Sequence, residues 1–308
     1  MSARSIQDAG PADRRRAGIG VLCGLAVALI WSGWSVATRF AVTTSLGPYD
    51  VTFLRFGISA LLLWPILVRK GLGLQQIGIV RLGVMVLGAG VPFMLLSSTG
   101  MQFAPASHVA TLMIGTMPIS VALLSGLLFG ERFTRQQLGG MGIVITGVIC
   151  IGGYALIINR AAGEWRGDLL FLLAGLFFAG FTVAQRRSGV SPWHATALVN
   201  CLSAMLFTPI YFLWLKPNIF TAPSAEVGFQ VVAQGVVVAI LGMYFYSEAV
   251  RRLGAPRAAI FGALAPALAV LIGMVVLKEI PAGLTLVGIG LVMGGVGLVV
   301  TGARHAKA

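Results

Sequence analysis

Trp31, Trp34, Ser35 and Thr38 fall at i, i+3, i+4 and i+7, on one face of a helix. A small-molecule site needs apolar walls with a few placed polar groups, and this stripe offers both. A similar set returns 147 residues later as Phe178, Phe181, Thr182 and Gln185. The two sets read as mirror-related walls or gates of one pathway. The plainer alternative is aromatic anchoring and packing, which suits Trp64, Trp165, Trp193 and Trp214 near the ends of apolar stretches. Ser98 and Tyr244 are further cavity candidates, although hydroxyls in lipid also bond neighbouring helices or their own backbone for about 0.6–2 kcal/mol. Arg39, Asp50 and Arg55 read as a charge cluster at one mouth, either binding a carboxylate or fixing a helix pair. His108 is either a packing residue or a proton carrier. Pro118 and Pro266 sit inside apolar stretches, where proline removes a backbone hydrogen bond and kinks a helix.

The elements that must position these residues follow from composition. The 308 residues are 57% hydrophobic and only 10% charged, against about 25% charged in a soluble domain. About 20 apolar residues span the hydrocarbon core as a helix. Ten such stretches are present, at 18–38, 49–69, 79–99, 106–129, 136–158, 167–185, 192–214, 228–248, 258–277 and 282–302. Residues 1–17 and 303–308 read as polar tails and 160–166 as a joint. The first stretch follows Arg14, Arg15 and Arg16 but ends in WSGWSVATRF rather than a small-residue cleavage site, so it reads as a helix.

The net charge of +13 invites a nucleic-acid reading, but its placement argues otherwise. With the N-terminus inside, 16 Lys and Arg fall on the cytoplasmic side and 6 on the other, the pattern of the positive-inside rule with both termini inside. The nine acids all fall near stretch ends. Charge at depth in a membrane is costly and usually functional, so the sequence argues against carboxylate-based proton coupling. A uniporter remains, or coupling through His108, His194 or the solute's own charge. Cys23, Cys150 and Cys201 are too far apart for a motif. Neither H-E-x-x-H nor a phosphate-binding G-x-x-x-x-G-K-[ST] occurs, so no catalytic residue, metal or cofactor is expected.

The chain is also duplicated. Residues Ala110–Val148 align without a gap on Ala258–Val296, matching Pro118/Pro266, Glu131/Glu279, Gly140/Gly288, Gly142/Gly290 and Gly147/Gly295. Arg39/Arg186 and Gly33/Gly180 match at an offset of 147; Pro48/Pro192, Thr52/Thr196, Ser59/Ser203 and Pro65/Pro209 match at 144. Each unit, 18–159 and 167–302, holds five stretches. An odd number forces the second unit to enter the membrane from the opposite side, and inverted repeats of this kind are built to expose a site to either face. Glu131 and Glu279 read as structural corners at opposite mouths.

Three segments resemble the drug/metabolite transporter superfamily, EamA-like branch. They are LIWSGWSVATRFAV with GPYDVTFLRF, then YFYSEAVRRLGAPRAAIFGALAPALAVLIGMVVLKE, then the GE or KE pair before a Gly-rich stretch. The likeness covers about 18–302. It implies ten helices in two inverted repeats around a cavity lined by helices 1, 3, 4, 6, 8 and 9. It also implies movement of amino acids, metabolites or amphipathic compounds, YddG-type amino-acid exporters being one match.

The expected fold is therefore an all-α integral membrane protein with ten transmembrane helices as two inverted five-helix repeats, both termini inside. The expected function is secondary transport of a small organic solute across the inner membrane by alternating access, with a scaffold or lipid-acting membrane protein as the alternative. The expected partners are the solute and the lipid bilayer, with no nucleic acid and no obligatory protein.

Overall fold

In lipid no water satisfies a free N–H or C=O, so each apolar stretch must close its backbone bonds within itself. The structure, a computed structural model, describes residues 11–130, 133–158, 163–253, 261–262 and 264–305. Its helices are α1 (Pro11–Thr43), α2 (Pro48–Lys70), α3 (Ile79–Phe103), α4 (Ala106–Phe129), α5 (Arg135–Ile158), α6 (Glu164–Ser188), α7 (Pro192–Leu213), α8 (Ser224–Tyr246, continuing to Leu253), α9 (Ala265–Val276) and α10 (Gly283–His305). Among the described residues nine helices are long and apolar enough to cross a membrane, and α9, with 12 residues, is shorter. The stretch expected at 258–277 thus differs: residues 258–260 and 263 lie outside the described residues, and the α-helix opens at Ala265 with Pro266 in its first turn. Proline suits that place, since its missing N–H would have no partner there. The described part of α1 is helical from Pro11 on, inside the segment read as a polar tail.

The exterior is that of a lipid-facing body. Leu127, Ile157 and Ile280 are 80% exposed or more, while Gln230 and Gln234 are fully buried. Buried Ser32, Ser35, Thr38, Ser97, Ser98 and Thr111 add to this polar interior. Lipid does not penalise exposed leucine, but it does penalise an exposed amide, so the polar groups turn inward.

Close helix contacts are made through glycine. A Cβ on Gly140 would lie 2.8 Å from the Gly295 carbonyl, and one on Gly295 would lie 2.7 Å from the Gly140 carbonyl. Gly147 and Gly288 face each other in the same way, at 2.7 and 2.8 Å. So α5 and α10 run antiparallel, and the positions that match in the duplicated sequence pack crosswise. Such exchange, i on j′ and j on i′, is what a two-fold axis between the helices produces. Elsewhere α3 presses on α6 where Gly100 and Gly167 face each other, and α2 meets α7 where Ser59 Oγ donates to Asn200 Oδ1 at 2.6 Å.

Among the described residues three helices depart from α geometry, α5 only in its last turn, Tyr154–Ile158. Val109–Gly115 of α4 is π-helical and gives way to α-helix at Met117, with Pro118 in the first α turn. In α8, Val231–Gly242 is π-helical. Such segments cluster at functional sites because they re-aim side chains. The two faces of the bundle are named below for the residues at them: the Asp50 end, where α2 begins, and the Lys70 end, where it stops.

Candidate transport site

The α1 stripe lies inward, and its members take different partners. Trp31 is half-buried and meets Tyr246 of α8 with ring centroids 5.7 Å apart. Ser35 spends its hydroxyl on the Ser32 carbonyl of its own helix, at 2.7 Å. Thr38 accepts from Gln234 Nε2 of α8 at 2.9 Å. Trp34 is buried, and the Arg55 guanidinium of α2 stands 5.8 Å from its ring centroid, within cation–π range.

The α6 stripe is packed differently. Phe178 lies 5.2 Å from both Phe93 of α3 and Phe181. Thr182 Oγ1 donates to the Phe178 carbonyl at 2.9 Å, and Gln185 is half-buried. Ser98 Oγ donates to Met94 of its own helix at 2.7 Å, the local alternative weighed for membrane hydroxyls. Tyr244 is exposed and stacks edge-on against Phe245, so the α8 ring that meets α1 is that of Tyr246.

The three residues read as one charge cluster occupy three settings. Asp50 accepts from Gly47 N (2.7 Å), Tyr211 Oη (2.5 Å), Asn218 N (2.9 Å) and Asn218 Nδ2 (3.1 Å), which caps α2 and fastens the α7–α8 connection to it. Arg39 instead pairs with Glu279, Nε to Oε1 at 2.8 Å, and also donates to the Met101 carbonyl. Glu279 Oε2 accepts from Ala106 N at 3.1 Å. One ion pair therefore ties the end of α1, the end of α3, the start of α4 and the turn after α9. Among the described residues Arg55 Nε and Nη1, shielded from solvent, have no hydrogen-bond partner, and neither has Trp34 Nε1. Glu131, the sequence mate of Glu279, lies outside the described residues.

Position near a helix end did not mean exposure. Asp168 of α6 is buried and its Oδ1 lies 2.7 Å from His108 Nδ1 of α4, with side chains 5% and 3% exposed. Its Oδ2 is buried and has no hydrogen-bond partner among the described residues. Asp168 stands near a stretch end, as the sequence has it, four residues into α6, yet α3 and α4 pack over it. His108 also lines a cavity of about 120 Å³ at the Asp50 end, with Ser107, Tyr154, Glu164, Glu279 and Thr285. Sequence reasoning also passed over Gln230 and Gln234. Two amides one turn apart in an apolar stretch were the available signal.

The sequence pattern of the EamA-like transporter family matches residues 18–153 and again 165–301. The chain belongs to the EamA-like transporter family. With nine membrane-length helices among the described residues, this EamA-like chain is a multi-pass membrane protein. It is 29% identical over 204 residues to a "Probable terminal-alkyne amino-acid exporter" of Streptantibioticus cattleyicolor, spanning 64% of each chain. The "Uncharacterized transporter YyaM" and "Uncharacterized transporter YetK" of Bacillus subtilis are 22% and 24% identical, over 79% and 85% of this chain and 84% and 81% of theirs. A crystal structure of a protein 21% identical in sequence superimposes with a TM-score of 0.60, covering 94% of this chain and 99% of that one, which shows the shared fold.

Proposed function

We propose that this EamA-like protein is a secondary transporter, not an enzyme, that moves small organic solutes, amino acids among them, across the inner membrane. Ten membrane-crossing helices, arranged as two inverted five-helix repeats with both termini cytoplasmic, alternate access to one central site. The observation that carries this reading is the crosswise packing of Gly140 on Gly295 and Gly147 on Gly288. Duplicated positions that face each other across an antiparallel helix pair are the arrangement expected of an inverted repeat. The sequence matches of both halves to one transporter family support it, as does the amino-acid exporter among its relatives. The pathway runs between the Trp31 and Phe178 faces. Arg39 and Glu279 close the Asp50 end, which the charge asymmetry makes the outer end.

The test is solute uptake into proteoliposomes with a panel of radiolabelled amino acids and metabolites, with and without a pH gradient. Saturable uptake that falls in Trp31→Ala and Phe178→Ala is expected. Absence of uptake for every solute class refutes transport, and unchanged uptake in both variants refutes the pathway.

A further inference from the structure

Within the bundle, three helices bring polar atoms that have no hydrogen-bond partner among the described residues. Arg55 of α2 contributes Nε and Nη1, Trp34 of α1 contributes Nε1, and Gln234 of α8 contributes Oε1. Trp34 is 5% exposed and Gln234 is fully buried. Arg55 is half-buried, so part of it remains accessible while those two nitrogens are not. A chain of contacts links the three side chains. Arg55 stands over the Trp34 ring, and Thr38, one turn beyond Trp34, holds Gln234. Residues i and i+4 of a helix have Cβ atoms about 5–6 Å apart. One turn past Arg55, Ile58 meets Gly235, the neighbour of Gln234, at 2.5 Å from an ideal Cβ. Arg55 is seven residues into α2, about 10 Å from the Asp50 end at 1.5 Å per residue. That is inside the apolar span rather than at its rim, and transporter sites lie within the hydrocarbon core.

The orientation of the Gln234 amide is fixed by its surroundings. The Ala37 carbonyl can only accept, so Gln230 must turn Nε2 to it, at 2.8 Å. Gln230 Oε1 then faces Gln234 and requires a donor, which is Gln234 Nε2 at 3.1 Å. Gln234 Oε1 is left as an acceptor with nothing to accept. The three helices therefore offer a cation, an indole N–H and a bare carbonyl oxygen.

The fold does not require this polarity. At the offset of 144 that aligns α2 with α7, Arg55 corresponds to Val199, which is buried. At 147, Trp34 corresponds to Phe181. The second copy fills the same positions with apolar groups and folds. A buried cation without a carboxylate is costly, and the cost is removed when an anion arrives.

We propose that Arg55, Trp34 and Gln234 form the head-group subsite for a zwitterionic α-amino acid. The carboxylate takes the N–H groups of Arg55 and Trp34, and the ammonium donates to Gln234 Oε1. This rests on the transport reading for its purpose, yet a binding measurement tests it separately from translocation.

The common L-amino acids, each beside its amide and its deaminated acid, are titrated against the full-length protein in detergent, with thermal unfolding as the readout. At least one amino acid is expected to stabilise the protein, with its amide and its deaminated acid each at least about tenfold weaker. Arg55→Leu is expected to lose this response while melting at the same temperature or higher, because it removes shielded N–H groups that lack acceptors; a merely structural arginine would lower it. Trp34→Phe, the residue of the other repeat, is expected to weaken binding about tenfold. The proposal is overturned if no amino acid stabilises the protein, if amides or deaminated acids bind equally well, or if Arg55→Leu keeps the response. Binding without uptake leaves the subsite standing and refutes transport, whereas uptake of solutes lacking a carboxylate, with no amino acid bound, does the reverse.

Discussion

Glu279→Gln tests the Arg39–Glu279 closure without changing side-chain volume. The amide keeps an oxygen for Ala106 N and loses the charge that faces Arg39 Nε at 2.8 Å. A hydrogen bond to a charged group is worth about 1.5–3 kcal/mol when shielded. The two side chains are 17% and 20% exposed, so solvent screening brings the value toward the 0.2–1 kcal/mol or so of surface pairs. About 1–2 kcal/mol is the resulting estimate, a factor of about 5–30 in the ratio of open to closed forms at this end. The reporter is Ser35→Cys in a background where Cys23, Cys150 and Cys201 are alanine. Ser35 is fully buried just below Arg39 and bonds only its own helix. A membrane-impermeant maleimide applied at the Asp50 face should label the reporter about 5–30 times faster once Glu279→Gln is added. Exchanging the charges, Arg39→Glu with Glu279→Arg, should slow it again. Labelling unchanged by Glu279→Gln refutes the closure.

Other substitutions probe the scaffold. Gly147→Leu pushes a side chain into the Gly288 carbonyl at 2.7 Å and should lower stability in detergent by about 1–3 kcal/mol or more, whereas Gly142→Ala, with nothing within 4 Å, should be silent in the same melt. Asp168→Ala leaves buried His108 without its hydrogen-bond partner and should cost about 1–3 kcal/mol in denaturant unfolding, with Asp168→Asn recovering most of it. Lys278 adopts φ 59°, a left-handed conformation that costs an L-residue about 1–2 kcal/mol. Its repeat mate Gly130 has φ 66°. Lys278→Gly should therefore raise the melting temperature while Glu279 stays on Arg39.

The spans were legible because lipid leaves the backbone one solution, and apolar length reports it directly. One boundary moved where a proline could start a helix, at Pro266. The duplicated glycines were legible too, but their meaning was not: only packing shows that Gly140 meets the partner of Gly147 rather than its own copy. The site was read in part. Periodicity placed Trp31, Trp34 and Thr38 on one face, yet it could not pair α1 with α2 and α8. The contacts that decide the chemistry join residues nearly 200 positions apart, such as Thr38 and Gln234. Asp168 escaped for a related reason. Distance from a helix end is a one-dimensional measure, and burial depends on which helices cover that end.

Like residues in unlike settings carry the alternating reading further. Ser35 and Thr182 are repeat mates, and so are Arg39 and Arg186. Ser35 is fully buried and Thr182 only half; Arg39 is ion-paired and Arg186 exposed. In a static duplicated scaffold this difference is incidental. In an alternating one it marks which end is shut, since closing one half of an inverted repeat opens the other. The two models part on a single measurement. If the halves are coupled, Glu279→Gln moves the Ser35→Cys and Thr182→Cys reporters in opposite directions, the first labelled faster from the Asp50 face and the second slower from the Lys70 face. If Arg39 and Glu279 merely pin a loop, only the first reporter responds. Because each ligand or substitution can shift an equilibrium only by its differential effect on the two states, the slowing at Thr182→Cys is bounded by the same factor of about 5–30 worked out for the ion pair. A change at the Lys70 face in the same direction as at the Asp50 face would mean general loosening of the bundle and would refute alternation.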